Sequence, residues 1–440
     1  MMKFIGFIIF MNFMLFKNNM IMFYYNLCYL SSLMMIFNYM FKDNIYFNMS
    51  MMFSFDYYSI WLIILNSWVI GLMMMCLMKK ELMKMIMFIN LMMILMLFFS
   101  SIDLLVFYMW FEISLIPTFM LIIYWGLNKE RTSAAYYLMM YMLFISFPFL
   151  LYMFNMYFYS MSFKFSLMNL VMNYYHFNVW SFIMIYMAFF IKMPIYLLHV
   201  WLPKAHVEAP VYGSMILAAI LLKMGSYGLI RLMEMLLYSS IKYMYVIFCI
   251  GILGSMLISV LCMAQIDMKS LVAYSSVVHM NLMLCSMGTF FKLGFISSYI
   301  MMISHGLCSS GLFYMVNLYY ERTSSRLLIL NKGMLSKLPL FSMWWFLFCA
   351  ANFSFPFSLN FISEILTLGV ILSWDLILMI YLFIICFFSG AYSLYLYSYV
   401  QHGHFYVELY FISSLFKEFM VLIIHFFPLI FMLLNLIMFM

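Results

Sequence analysis

The sequence predicts an all-α polytopic membrane protein of about 14 transmembrane helices, and three observations carry that prediction. Of its 440 residues, 69% are hydrophobic and 8% charged, with a mean hydropathy of +1.09. A soluble domain draws about a quarter of its residues from Asp, Glu, Lys and Arg, so this chain has too few to cover a water-facing surface. The charges it has are bunched between apolar runs, as at Lys79, Lys80 and Glu81 and again at Lys129, Glu130 and Arg131. At ~20 residues per crossing plus short loops, the length accommodates roughly 14 helices. No large soluble domain can be cut out, which argues against a nucleic-acid partner.

Apolar runs between polar breaks place the helices in order. Helix 1 covers about 2–16, and reads as a membrane helix rather than a cleavable signal. Helix 2 covers about 20–40, and a polar loop at Lys42, Asp43 and Asn44 leads to helix 3, about 56–78. Helices 4, 5 and 6 cover about 85–101, 103–125 and 133–155. A long loop, about 156–177, precedes helix 7, about 178–203, which breaks near Pro194 because proline lacks the N–H that a helix needs. Helices 8 to 11 cover about 211–233, 243–262, 268–288 and 294–319. Helix 12, about 338–373, is too long for one crossing and is interrupted at Pro356. Helices 13 and 14 cover about 375–399 and 415–438.

Helices 7 and 12 are both broken at a proline with a charge nearby, and they lie five helices apart. That spacing predicts two inverted five-helix repeats, helices 4–8 and 9–13. The expected organisation is residues 1–84 for helices 1–3, 85–233 and 234–400 for the two repeats, and 401–440 for a loop and helix 14. Of the 21 Lys and Arg, thirteen fall in loops after odd-numbered helices, six on the other side and two within helices. The positive-inside bias therefore places both termini on the side away from the cytoplasm, or from the matrix in a mitochondrion. The 56 Met, 51 Phe and 36 Tyr fit an AT-rich organellar coding sequence.

The two basic residues within helices are Lys192 and Lys223, both in the stretch Phe189 to Arg231. A lysine at the centre of a membrane helix costs roughly 2.5–3.5 kcal/mol on insertion scales, so it marks a partner, a wet cavity or a function. Other deep ionisable groups are Glu112 in helix 5, His279 in helix 10, His305 in helix 11 and Glu364 after the break of helix 12. His199 lies seven residues after Lys192, on the same face if the helix phase survives the kink. Structural ion pairing is one reading of these charges. A proton relay is the other, since burial favours the neutral form of each group and lets a neighbour's charge decide when its proton leaves. A lone histidine in an apolar helix is as readily a packing residue as a shuttle.

The remaining polar features read as structural. Lys204, His206 and Glu208 line a helix-end loop that reads as a solvated turn, with an entry to the relay as the alternative, and Arg322 with Arg326 reads as a solvated helix cap. His402 and His404 lack further ligands for a metal. The eight cysteines show no CxxC spacing, which argues against zinc or iron–sulfur binding. Gly213, Ser214, Ala218, Gly225 and Gly228 make helix 8 small on one side, as close helix packing requires.

The stretch IKMPIYLLHVWLPKAHVEAPVYGSMILAAILLKMGSYGLIR closely resembles the antiporter-like subunits of proton-pumping NADH–quinone oxidoreductase (respiratory complex I), and within them the chain 4 branch. WFEISLIPT, SLVAYSSVVHMNL, ISHGLCSSGLFYMVNLYYERTSSR and, more loosely, ANFSFPFSLNFISEIL extend the resemblance over about residues 100–400. The resemblance implies that Glu112 pairs with Lys192, that Lys223 is the central lysine, that His279 and His305 continue the relay, and that Glu364 ends it. Pro194, His199 and Pro356 would support these groups. It further implies proton translocation driven by redox chemistry in other subunits, which bind NADH, flavin, iron–sulfur clusters and ubiquinone, with no cofactor and no metal on this chain. Implied partners are the neighbouring antiporter-like subunits, chains 2 and 5, with accessory subunits and lipids such as cardiolipin. The implied location is the mitochondrial inner membrane, with both termini facing the intermembrane space. A stand-alone cation/proton antiporter of the same fold and a non-pumping scaffold subunit remain the competing readings.

Overall fold

The computed structural model describes residues 2–15, 21–40, 46–47, 52–77, 81–126, 128–172, 177–404 and 414–439. Among these the chain is almost wholly helical. In order the helices are α1 (Met2–Met14), α2 (Ile21–Met40), α3 (Tyr57–Cys76), α4 (Leu82–Ser100), α5 (Leu104–Ile113), α6 (Leu115–Trp125) and α7 (Arg131–Ser160). There follow α8 (Phe165–Met172), α9 (Val179–Lys192), α10 (Trp201–Glu208), α11 (Val211–Ile216), α12 (Leu222–Met235), α13 (Leu237–Met263) and α14 (Met268–Gly288). The last are α15 (Lys292–Thr323), α16 (Met334–Lys337), α17 (Pro339–Asn352), α18 (Leu359–Trp374), α19 (Met379–Gln401) and α20 (Phe416–Phe431).

Among the described residues ten helices are long and apolar enough to cross a membrane, or eleven if Ile329–Lys337 and Pro339–Asn352, bent by 117°, act as one span. Lys3–Met14, Ile21–Phe37, Val179–Lys192 and Leu359–Trp374 are apolar but shorter. A total near fourteen therefore requires that short helices cross as well. Lys17, Lys42, Asp43, Asn44, Lys79 and Lys80, which entered the loop and orientation expectations, lie outside the described residues.

Proline chemistry explains where the expected long helices part. The expected helix 7 is α9 and α10, separated by the irregular segment 193–200 that contains Pro194. The expected helix 12 is α17 and α18, separated by 353–358, which contains Pro356. Both segments hold non-glycine residues in the left-handed region: Leu197 (φ 79°) in the first, Ser354 (φ 58°) and Phe357 (φ 76°) in the second. Such conformations are strained for residues with a side chain, and persist where surrounding packing imposes them. Helix 5 is one span, Leu104–Trp125, as expected, with a local turn inside it. Pro117 cannot donate to the Ile113 carbonyl four residues back, and α5 ends at Ile113 with a turn at Ser114. The expected helix 8 carries a π-helical turn, Leu217–Leu221, between α11 and α12. The long loop expected at 156–177 is mostly helix, since α7 reaches Ser160 and α8 follows.

The chain forms two compact units, one of Met1–Lys192 with Ile220–Tyr243, the other of Met193–Ala219 with Met244–Met440. In the first, α3 is buried on almost every residue and packs against α2 and α4. Helix α9 packs on α7 and α12. Phe98, Phe107, Phe111, Phe189 and Tyr227 form a ring cluster beside them, with the Phe98 and Phe107 centroids 4.4 Å apart. Gly228 makes the α9 contact possible, because a Cβ there would stand 2.2 Å from the Phe189 ring. In the second unit α15 is the buried axis, with α14, α18, α20, α11 and α17 packed around it.

Candidate functional site

In the first unit, Glu112 and Lys192 sit where helices end. Glu112 is the penultimate residue of α5 and Lys192 the last residue of α9. Lys192 is 2% exposed. Its Nζ donates to the Phe111 carbonyl at 3.1 Å and lies 3.2 Å from the centre of the Phe111 ring. A carbonyl near the negative end of a helix and the face of an aromatic ring are both favourable surroundings for a buried ammonium. The Phe111 carbonyl also accepts the Ser114 hydroxyl at 2.7 Å. Glu112 is the charged neighbour of Lys192, but no ion pair joins the two side chains. Both Glu112 carboxylate oxygens are buried without a hydrogen bond, and the adjacent Ser146 hydroxyl donates instead to the Leu143 carbonyl at 3.2 Å. The pairing expected from the sequence is thus a neighbourhood through Phe111 rather than a direct contact. Lys223, fully buried, is the second residue of α12, directly after the π turn. Single π turns inside α-helices recur at functional sites.

In the second unit, His279 of α14, His305 of α15 and Glu364 of α18 come together. The two imidazole centroids are 5.5 Å apart. His279 Nδ1 lies 3.2 Å from Glu364 Oε1, and Nε2 of the same ring lies 3.4 Å from the Tyr392 hydroxyl of α19. Ser354, from the break that holds Pro356, donates its hydroxyl to Glu364 Oε2. All three titratable groups are buried, Glu364 being 9% exposed. Acid–base groups at these separations, within a low-dielectric interior, can exchange protons as the charge of a neighbour changes.

Several sequence expectations need correction. Helix α9 stops at Lys192, so the helical phase that would have put His199 on the lysine's face does not survive. His199 lies in the irregular segment, its ring stacked on Tyr196 at 5.8 Å. The turn expected to be solvated at Lys204, His206 and Glu208 is α10. Lys204 is exposed, but His206 is fully buried and stacked on Phe313 at 4.7 Å, and Glu208 is buried. Arg322 is no solvated cap either: it is 6% exposed and pairs with Glu418 of α20 at 2.6 Å. Arg326 donates to the Val207 carbonyl at 2.5 Å.

Sequence reasoning missed Lys269. Counted as a loop cation, it is 1% exposed, and its Nζ donates to the Ala209 carbonyl at 3.0 Å beside Glu208. The available signal was its place two residues into helix 10, beyond Asp267. The cluster of Asp56, Tyr227 and Arg231 was missed for the same reason. Arg231 binds the Asp56 carboxylate and donates to the Tyr227 hydroxyl at 3.0 Å, tying α12 to the start of α3. Among the described residues no three His, Cys, Asp or Glu side chains form a metal-binding group.

Comparisons with known proteins bear on this arrangement. The family described as NADH:quinone oxidoreductase/Mrp antiporter, TM matches residues 101–389. NADH-ubiquinone oxidoreductase chain 4 of Aedes aegypti is 42% identical over 439 residues, which is 98% of this chain and 97% of that one. Its counterpart in Apis mellifera ligustica is 41% identical, over 94% and 92% of the two chains. A chain in the structure of respiratory complex I from Thermus thermophilus with bound NADH superposes with a TM-score of 0.89 at 20% identity, over 97% of this chain and 94% of that one. A chain of the Mrp complex from Dietzia sp. gives 0.72 at 16% identity, over 80% and 67%. These two likenesses concern the fold. The identity to the insect proteins across nearly the whole length carries more, and by it this chain belongs to the NADH-ubiquinone oxidoreductase chain 4 family.

Proposed function

We propose that the chain is a proton-translocating membrane-arm subunit of the respiratory NADH:ubiquinone oxidoreductase, moving protons through Glu112, Lys192, Lys223, His279, His305 and Glu364. The observation that carries this reading is the pair of buried acid–base clusters beside broken helices: Lys192 near Glu112, and His279 with His305 near Glu364. Buried charges are poor scaffolding compared with apolar packing, whereas groups that exchange protons must be titratable and shielded from bulk water. In the proposed cycle, withdrawal of the Glu112 charge removes what favours the protonated form of Lys192, which passes its proton to Lys223. The histidines carry it to Glu364, and return of the Glu112 charge resets Lys192. Pro194 and Pro356 keep the backbone open beside the two clusters, and His199 supports the first break.

On this reading the redox groups, namely flavin, iron–sulfur clusters, NADH and ubiquinone, belong to other subunits, and the chain supplies transport alone. It lies in the mitochondrial inner membrane beside the antiporter-like chains 2 and 5, with accessory subunits and cardiolipin at its apolar surface. Fourteen helices cross, both termini face the intermembrane space, and residues 85–233 and 234–400 form the inverted repeats, between 1–84 and 401–440. The test is Glu364→Gln in the assembled complex reconstituted into vesicles. Protons pumped per NADH oxidised should fall while electron transfer to quinone continues. An unchanged ratio would remove Glu364 from the relay.

A further inference from the structure

Tyr392 has no place in the relay described so far. Its side chain is fully buried on α19. Other buried or partly buried tyrosines here tie down backbone: Tyr186 donates to the Leu232 carbonyl at 3.1 Å, Tyr227 to Phe99 at 2.9 Å and Tyr243 to Phe177 at 3.2 Å. The Tyr392 hydroxyl instead makes its one hydrogen bond among the described residues with His279 Nε2, at 3.4 Å. The opposite nitrogen, Nδ1, is the one that lies 3.2 Å from Glu364 Oε1. The imidazole therefore stands between a carboxylate, which when ionised only accepts, and a phenol, which donates or accepts as its hydrogen rotates. The other titratable groups around the hydroxyl are Cys262, Cys308 and Cys386.

We propose that Tyr392 is a positioning residue of the relay, its hydroxyl supplying the Nε2 partner that His279 needs before and after Nδ1 passes its proton to Glu364. The proposal rests on the relay reading above. With His279 doubly protonated, Nδ1–H faces Glu364 and Nε2–H donates to the Tyr392 oxygen. The proton then leaves Nδ1 for Glu364 Oε1: one N–H bond breaks, one O–H bond forms, and the electron pair stays on the ring. An imidazolium and a carboxylate become two neutral groups. The proton left on Nε2 now needs an acceptor in apolar surroundings, and Tyr392 is that acceptor. When the ring is neutral with its proton on Nδ1, the hydroxyl rotates to donate to Nε2. Tyr392 thus serves both tautomers and keeps Nδ1 beside Glu364 Oε1, which has no hydrogen-bond partner of its own among the described residues.

The test is Tyr392→Phe in the assembled complex, which removes the hydroxyl and leaves the ring. Protons pumped per NADH oxidised should fall while NADH oxidation continues. The pH of half-maximal pumping should move by about one pH unit, the equivalent of one lost buried hydrogen bond. Added to His279→Gln, the same substitution should change nothing further. If Tyr392→Phe pumps with the normal ratio and pH profile while Glu364→Gln does not, the Tyr392 proposal falls and the relay stands. If Glu364→Gln and His279→Gln also pump normally, the relay itself falls. Failure of Tyr392→Phe to assemble would make the hydroxyl structural, and would likewise overturn the proposal.

Discussion

Replacing Lys192 separates carrying a proton from carrying a charge. In Lys192→Met the Phe111 carbonyl loses the ammonium but keeps the Ser114 hydroxyl at 2.7 Å, so no buried acceptor is orphaned. The lost charged hydrogen bond is worth about 1.5–3 kcal/mol, and the lost contact with the Phe111 ring about 2 kcal/mol when desolvated. Against these stands the cost of holding a lysine in the membrane interior, roughly 2.5–3.5 kcal/mol. The terms nearly cancel, and methionine fills the space of the lysine stem. Assembly should therefore survive with a net loss of at most about 2.5 kcal/mol. Pumping should not, because the proton-bearing group is gone and Glu112 neutralises by taking up a proton. Lys192→Arg is the sharper variant. It keeps a cation on the same carbonyl, yet guanidinium does not release its proton at any working pH. Both variants should oxidise NADH in reconstituted vesicles with fewer protons moved per electron pair. Normal pumping by Lys192→Arg would show that Lys192 acts as a fixed charge, and would refute its role as a carrier.

Four further outcomes follow from the geometry. Arg322→Met or Glu418→Gln alone leaves an uncompensated buried charge and should cost about 3–5 kcal/mol, read as a lower melting temperature of the purified complex, whereas replacing both by apolar residues should recover most of it. Gly228→Ala puts a Cβ 2.2 Å from the Phe189 ring, and should cost about 1–3 kcal/mol by prising α12 from α9, an effect that Phe189→Leu should relieve in the same thermal assay. Lys269→Met should loosen the α10 to α11 junction, exposing the 207–209 backbone to faster amide hydrogen exchange, while Lys269→Arg should retain most of the protection. Outside the spans, burial lifts the Asp103 carboxyl above its ordinary value against the opposing pull of Lys164. The folded state then binds this proton more tightly than the unfolded state, so stability falls as pH rises from about 4 through the raised value, and Asp103→Asn should flatten that fall in a denaturation series.

The membrane class and most helix limits were legible because they depend on local composition. An apolar run of about 20 residues has one low-energy state in lipid whatever lies beside it. The breaks at Pro194 and Pro356 were legible for the same reason, since a missing N–H acts within its own helix. Pro117 was equally visible, and it leaves only a local turn at Ser114 within the single span Leu104–Trp125. What local sequence could not show is which polar residues near a helix end are covered by another element. Lys269 and Arg322 look like solvated flanks until α10 and α20 are packed against them. The meeting of His279, Glu364 and Tyr392 joins α14 to the much later, consecutive α18 and α19, so no spacing rule announces it. The resemblance named the first two, and only the packing adds the third.

Helix ends also explain how Lys192 stays buried without a direct ion pair. A continuous helix spends its carbonyls on its own N–H groups, whereas a helix end leaves several unmatched. Lys192 draws on one of these near the end of α5, and Lys269 on the carbonyl that follows α10. In both cases a glutamate is the immediate chain neighbour of the accepting residue: Glu112 beside Phe111, and Glu208 beside Ala209. Peptide dipoles thus hold the ammonium in place, so the carboxylate is not needed as an anchor. Had Glu112 been locked in a short ion pair, moving it would cost the full energy of a buried pair, several kcal/mol. With the backbone holding the cation, the Glu112 charge can be withdrawn or restored at lower cost, and Lys192 answers by giving up or regaining its proton without leaving its site.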